Sequence, residues 1–471
     1  MKAVRGLFRQ VAITCLCLGD FARLLCLQAG KCKAKIVGLF ALVCVIFAWK
    51  KLFEGPAQMG VYFPHAVVMR SSPASSAPRS SIFSMTAGGT MYLYSAIAND
   101  RYPLDGETNV IITGLSRDGL PSHCCVVLDN TTIYTSLPEE FETNRRARFS
   151  ELPVVRDIAW YFLEEPSRAV QVTCAVPNTG HRATHATLSF SACSQDTSGY
   201  LPVQRPSAPE GSMAVCAKIA HGNGLDPEKV IEWFELQMLL GVSKVLMYDL
   251  GVTDPVKRVL NYYQRLGFLD LQPYELVGPP RNRSLSEKFK RMPQFSHDET
   301  LSVYDCRQRL MDYTFVLGHD LDELVIPRQD VTLPEFFKAH LETYQDAAGF
   351  EFDTEFFIYN WGASSPKEDL MVTRFQRCTL PHRECTKYVY LPRRVHSVET
   401  HNIFPRKLYK VYRLPKTEAI LHHYRRCPDD VWPTCEPDTI IDDVMMRYKH
   451  KLLPRVQAVR RKTDTKTQWD T

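Results

Sequence analysis

The 471-residue chain lacks the electrostatic footprint of a nucleic-acid-binding protein. Its formal net charge is +5, but seven Lys/Arg (Lys2, Arg5, Arg9, Arg23, Lys31, Lys33, Lys35) and one acid, Asp20, fall in residues 1–35. Beyond them 50 basic and 51 acidic residues remain, a net of about −1, so no excess of positive charge is left to meet a phosphate backbone. A CxxC…CxxC zinc pattern is also missing, and Cys124 and Cys125 are the only adjacent cysteines. There is no internal repeat, and no apolar run reaches the roughly 20 residues of a standard bilayer span. What the chain does have is 45% hydrophobic and 11% aromatic residues, enough to bury ordinary cores and exclude wholesale disorder.

The nearest approach to a span is "KIVGLFALVCVIFAWKK", with 14 uncharged residues, Ile36 to Trp49, between Lys35 and Lys50. Leu52, Phe53 and snorkelling lysines extend it, so residues 36–53 are expected to anchor the chain in a lipid bilayer. A cleaved signal peptide is the competing reading, but the run begins late and no clear small-x-small site follows. The Lys/Arg excess in residues 1–35 predicts a cytoplasmic tail and a luminal body, a single-pass type II arrangement. Ten of the 15 cysteines lie beyond residue 44, an even number suited to an oxidising lumen; Cys378/Cys385 and Cys427/Cys435 are close enough to staple local loops. Asn130 and Asn282 head Asn-x-Ser/Thr sequons, glycosylation sites if luminal.

Composition then divides the body. Residues 54–89 contain "RSSPASSAPRSS" and form an expected stem. Residues 90–205 carry short β-branched runs such as "NVIITGL" and "VQVTCAV", which predict a β-rich domain. From 211 to 440 strand-like runs ("MAVCAKIA", "KVLMYDL", "YTFVLG") alternate with helical spacing, which predicts an α/β domain on a doubly wound, mostly parallel sheet. Residues 441–471, with a basic cluster from Arg447 to Lys462, are expected to be a solvated polar tail.

One stretch carries chemistry. In "DYTFVLGHDLDELVIPR" an apolar strand ends in His319, Asp320, Asp322 and Glu323 before apolar residues resume. Three carboxylates within four residues repel one another and cost desolvation, so a cation is expected among them. At a strand end of a parallel sheet, hard oxygens suit Mg²⁺ or Mn²⁺ carrying a diphosphate; a surface acidic turn is the plain alternative. A phosphatase-type DxDx(T/V) motif fits poorly, because Leu324 follows Glu323. Farther on, "FEFDTEFFIY" alternates. Phe350, Phe352, Thr354, Phe356 and Ile358 are expected on one face and Glu351, Asp353 and Glu355 on the other.

Several segments together resemble glycosyltransferase family 92. They are "EWFELQMLLGVSKVLMYDLG" (232–251), "VLNYYQRLGFLDLQPYEL" (259–276), "ETLSVYDCRQRLMDYTFVLGHDLDELVIP" (299–327) and "ILHHYR" (420–425), with "YLYSAIANDRY" (92–102) upstream. The resemblance implies a GT-A-like fold and inverting transfer of a hexose. The implied donor is UDP-galactose or a similar UDP-sugar, with Mn²⁺, and the acceptor a glycan or glycoprotein in the Golgi. By that analogy Asp320 and Asp322 are the metal- and donor-binding DxD, with Glu323 supporting them. His401 and His423 are candidates for a later metal ligand, each weighed against a structural histidine. Asp249 stands where related folds bind uracil, or it is a turn aspartate. Asp305 and Arg309, one helical turn apart, contact the ribose or phosphate, or form an i,i+4 surface pair. Inversion needs one base, for which Asp353 and Glu355 are the candidates. Trp361 is a candidate to stack on an acceptor sugar, against ordinary packing. The rival class is a glycan-binding protein on a degenerate transferase fold, against which the intact DxD counts.

Overall fold

The computed structural model describes residues 68–70 and 82–464, except 87–90, 100–106, 117–120, 144–166, 178–179, 223, 278–292, 384 and 428–437. The expected anchor, and Asn282, lie outside these residues. Among the described residues no helix is long and apolar enough to cross a membrane.

The β-rich region is a ten-strand array running from Val68–Arg70 to Leu201–Gln204. Its central members are β1 (Met91–Asn99), β2 (Glu107–Ser116) and β3 (Arg168–Pro177), all antiparallel neighbours. Disulfides Cys124–Cys174 and Cys125–Cys193 cross-link this array.

The α/β region is built on seven strands: β4 (Met213–Gly222), β5 (Lys244–Val252), β6 (Leu269–Pro273), β7 (Phe315–Gly318), β9 (Ala347–Glu351), β11 (Tyr388–Tyr390) and β12 (Lys410–Arg413). Their order is β6-β5-β4-β7-β11-β9-β12, and only β11 runs against the rest, so the mostly parallel expectation holds. A smaller sheet joins β8 (Glu323–Pro327), β13 (Ala419–Arg425) and β10 (Thr354–Ile358) in that order.

Local chemistry sets the helices. In α1 (Pro227–Leu239) Asp226 caps the N-terminus by accepting from the Glu228 N–H, and Pro227 takes the first turn. Gly241 ends it at φ +86°; there a β-carbon would also meet the Thr332 side chain at 2.9 Å. α2 (Asp254–Arg265) follows β5, α3 (Pro293–Arg309) precedes β7, and α4 (Leu333–Thr343) opens on a Thr332/Glu335 capping box.

Three expectations fail. The run "FEFDTEFFIY" is not one strand. β9 belongs to the large sheet and β10 to the small one, with the chain changing sheets at Phe352–Asp353, so the shared polar face does not exist. The basic C-terminal stretch is no solvated tail. It forms α5 (Lys449–Thr463), which buries Leu452, Val456 and Val459 and pairs Arg455 with Glu235 at 2.7 Å. Cys378 and Cys385 do not bond to each other; the third disulfide among the described pairs is Cys216–Cys306, tying β4 to α3.

Asp305 and Arg309 are also placed away from ligand chemistry. The buried Asp305 carboxylate accepts from Arg309 Nε (2.6 Å), Tyr248 Oη (2.8 Å) and Ser95 Oγ on β1, while Arg309 reaches Gln204. The pair therefore bolts α3 to the β-rich array. Asp305→Ala should cost about 3–5 kcal/mol in chemical denaturation, because it strands a mostly buried guanidinium. UDP-sugar affinity should stay unchanged in the folded fraction; an unchanged denaturation midpoint with weakened donor binding would restore the ribose-contact reading.

Candidate functional site

The acidic cluster sits where β7 ends and turns into β8, at the C-terminal edge of the parallel strands. Gly318 leaves room for the Tyr388 ring, which a β-carbon there would approach to 2.9 Å and displace. The next residues diverge. His319 is buried, its ring edge-on to Trp233, and burial pushes its pKa down to about 4. The Asp320 N–H donates to Glu323 Oε2 at 2.8 Å, which folds the turn back on itself.

The expected cation is partly supplied by the chain. Lys218 Nζ lies 2.9 Å from Asp320 Oδ1, and Lys387 Nζ lies 3.0 Å from Asp320 Oδ2 and 3.2 Å from Glu323 Oε1. Both lysine side chains are at most 3% exposed. Lys218 stands at an irregularity of β4 with φ +52°, a conformation that costs energy and clusters at functional sites. Burial opposes the charge on Asp320, but the two ammoniums overcome it and hold its carboxyl well below the usual range. Burial likewise works against Lys387, and Asp320 with Glu323 more than offsets that, raising its pKa.

Asp322 points elsewhere, with its side chain half exposed. His423 of β13 bridges it to Glu323: Nε2 is 3.4 Å from Asp322 Oδ2, and Nδ1 is 3.4 Å from Glu323 Oε1. Three carboxylates thus face two ammoniums, leaving one negative charge. Burial disfavours imidazolium at His423, yet Asp322 and Glu323 outweigh it and raise its pKa. The buried Glu323 Oε1 meets Lys387, and the buried His423 Nδ1 meets Glu323, as ion pairs without a well-formed hydrogen bond. Ligand atoms of Asp322, Glu323 and His423 all lie within 4.8 Å of one another. The two carboxylates suit Mn²⁺ or Mg²⁺, and the imidazole favours Mn²⁺ of the two.

The structure therefore brings together Asp320, Asp322, Glu323 and His423, with Asp320 committed to lysines. His401 stays outside the ligand group. Its Nδ1 is 3.1 Å from the Thr386 carbonyl, and burial, reinforced by Lys387 and Lys218, lowers its pKa to about 3. Asp249 closes a turn, accepting from the Gly251 and Val252 N–H groups at 3.0 and 3.1 Å with Lys257 3.3 Å away. Asp353 and Glu355 are split. Asp353 shares Arg413 with Glu351, whereas Glu355 is buried on β10 near His422 and Asp442. Trp361 is partly exposed in the single turn Tyr359–Trp361 after β10. Asn130 is exposed at φ +63°, beside Asp129 in the same left-handed turn.

Sequence reasoning missed Lys218 and Lys387. A signal existed for each: one charged residue in the apolar strand "MAVCAKIA" and one at the entry to "YVYL", where a buried lysine must find a partner. It also missed Lys229, whose Nζ lies 3.9 Å from the Tyr359 ring centroid, and Arg426. These cations and the Tyr359 hydroxyl lie within electrostatic reach of one another and, apart from Arg426, of Asp322.

The sequence profile of glycosyltransferase family 92 matches residues 211–468, more than half of the chain. The chain belongs to glycosyltransferase family 92. The family 92 segment opens at β4 and takes in α5, so the helix once expected as a tail is part of the matched region. Among curated proteins the chain is similar to beta-1,4-galactosyltransferase galt-1 of Caenorhabditis elegans, 28% identical over 120 residues. That alignment covers 24% of this chain and 25% of the relative, so the chain spans about a quarter of the curated relative it matches. Solved structures are more distant. S. aureus TarS 1–349 is 12% identical at TM-score 0.24, covering 53% of this chain and 71% of that one. UTP-bound UGPase of Acinetobacter baumannii is 9% identical at TM-score 0.21, covering 52% and 92%. Likeness at that level decides nothing about ligands.

Proposed function

We propose that this family 92 chain transfers a hexose, galactose from UDP-galactose, onto a glycan or glycoprotein hydroxyl with inversion to a β linkage. The observation that carries the reading is the convergence of Asp322, Glu323 and His423 at the parallel strand ends, with Lys218 and Lys387 neutralising the carboxylate beside them. The named galactosyltransferase relative supports the choice of sugar.

Asp322, Glu323 and His423 would hold Mn²⁺ or Mg²⁺, whose chemistry is to neutralise the diphosphate as it leaves. Lys229 adds positive charge on the Asp322 side for phosphate oxygens. In the transfer the acceptor oxygen forms a bond to the anomeric carbon while the bond to the diphosphate breaks. UDP leaves with the electron pair, and a carboxylate takes the hydroxyl proton. We assign that proton to Asp353, whose side chain is 23% exposed where Glu355 is 2% exposed. Residues 36–53 would anchor the protein in the Golgi membrane with the body luminal, which the three described disulfides support.

A panel of nucleotide sugars scored by UDP release tests the donor; galactose should lead, and a flat panel would remove the hexose assignment. For the base, Asp353→Asn should cut transfer by about 10²–10⁴-fold with donor affinity little changed. Glu355→Gln should lower the thermal midpoint instead. Reversal of those two phenotypes would transfer the base to Glu355.

A further inference from the structure

His422 and His423 are consecutive on β13 and so face opposite sides of the small sheet. His423 turns to the DxD. His422 turns to a second cluster that the transfer chemistry leaves unused. There its Nε2 is 3.8 Å from Glu355 Oε2 and 3.6 Å from Asp442 Oδ2. The residues are buried at 0%, 2% and 9% exposure, and their ligand atoms lie within 4.8 Å of one another.

Two of these atoms, His422 Nε2 and Glu355 Oε2, make no hydrogen bond although they are fully enclosed. Leaving such atoms unsatisfied is costly, and it identifies a place for a partner. The spacings are close to the about 3.3–3.6 Å edge of a tetrahedron with metal bonds of about 2.0–2.2 Å. The outer atoms of His422 and Glu355 already have partners, as in a metal site. His422 Nδ1 lies 3.4 Å from Tyr424 Oη, which leaves Nε2 for the cluster. Arg328 donates to Glu355 Oε1, the far oxygen, and to Asp442 Oδ2, the oxygen that faces His422, and the Val444 N–H donates to Asp442 Oδ1 at 2.9 Å. The reduced thiol of Cys378 donates to the Ile440 carbonyl at 3.9 Å and lies within electrostatic reach of Glu355, a soft donor beside the set.

We propose that Glu355, His422 and Asp442 bind a structural zinc ion, distinct from the exchangeable cation of the DxD. Imidazole, carboxylates and a neighbouring thiol form a donor set suited to this borderline-soft ion. The ligands come from β10, from β13 and from the segment just after the strand Thr439–Ile441. Zinc therefore cross-links three chain segments immediately behind His423 and fixes the strand that presents it.

The test is elemental analysis of the purified full chain after dialysis in Mn²⁺-containing buffer. One zinc per chain is expected, retained in Asp322→Asn and reduced to background in His422→Gln and Asp442→Asn. Should those two variants fail to fold, cobalt exchange into the unmodified chain decides, with an intense tetrahedral visible spectrum expected. Stripping zinc with Mn²⁺ kept in excess should also lower the thermal midpoint. An unmodified chain without zinc overturns the proposal, as does zinc that survives His422→Gln but leaves with Asp322→Asn, or cobalt uptake with only weak octahedral absorption.

Discussion

Asp322→Ala should abolish metal-dependent transfer while leaving the thermal midpoint near that of the unmodified chain. Asp322 is half exposed and its partner within salt-bridge reach is His423, so little packing is lost with it. What disappears is one of three groups that could hold the proposed cation. A metal acting on a phosphoryl oxygen supplies several kcal/mol of charge stabilisation, so the rate should fall by about a hundredfold or more. Asp320→Asn should behave differently, since that carboxylate is engaged by Lys218 and Lys387. Its loss leaves two buried ammoniums short of a partner, and stability should fall along with activity. Equal activity in Asp322→Ala at saturating Mn²⁺ would remove this residue from the metal site.

Lys387→Met should destabilise the protein as strongly as Asp305→Ala. The side chain is 2% exposed and neutralises Asp320 and the fully buried Glu323 together. Methionine preserves the volume but leaves Glu323 ionised without an ammonium or forces it to take up a proton. Breaking a buried pair from one side typically costs about 3–5 kcal/mol. Urea denaturation measures this directly, and Lys387→Arg should recover part of the loss. A methionine variant as stable as the unmodified chain would mean that Glu323 is already neutral, which would remove it from the ligand set.

Much of this arrangement was legible in the residues, and the failures share a cause. The strands "MAVCAKIA", "KVLMYDL" and "YTFVLG" and the position of the acidic cluster follow from periodicity, which is local. The need for a cation among Asp320, Asp322 and Glu323 follows from charge alone. That Lys218 and Lys387 meet much of it does not, because they lie 102 and 67 residues from Asp320 and topology joins them. Alternation continued unbroken through Phe352 and Asp353, so period could not reveal a change of sheet. In α5, Leu452, Val456 and Val459 do follow an i, i+4, i+7 stripe, but six Lys/Arg and an internal Pro454 obscured it. Asp305 and Arg309 were correctly seen as helix neighbours; the β-rich array that buries them is remote in sequence.

The protonation of His423 links the two halves of the site. Its imidazolium offsets the charge left on Asp322 and Glu323, and a metal ligand must give that proton up. Metal binding should therefore weaken as pH falls through the His423 titration. The most direct measurement is the initial rate of the proposed galactose transfer against free Mn²⁺ for the unmodified chain and His423→Ala, with a chelator baseline for each. The account predicts transfer that stops on chelation, returns with Mn²⁺, and in His423→Ala demands a much higher Mn²⁺ concentration. Transfer that survives chelation, or identical Mn²⁺ curves for the two proteins, would contradict it.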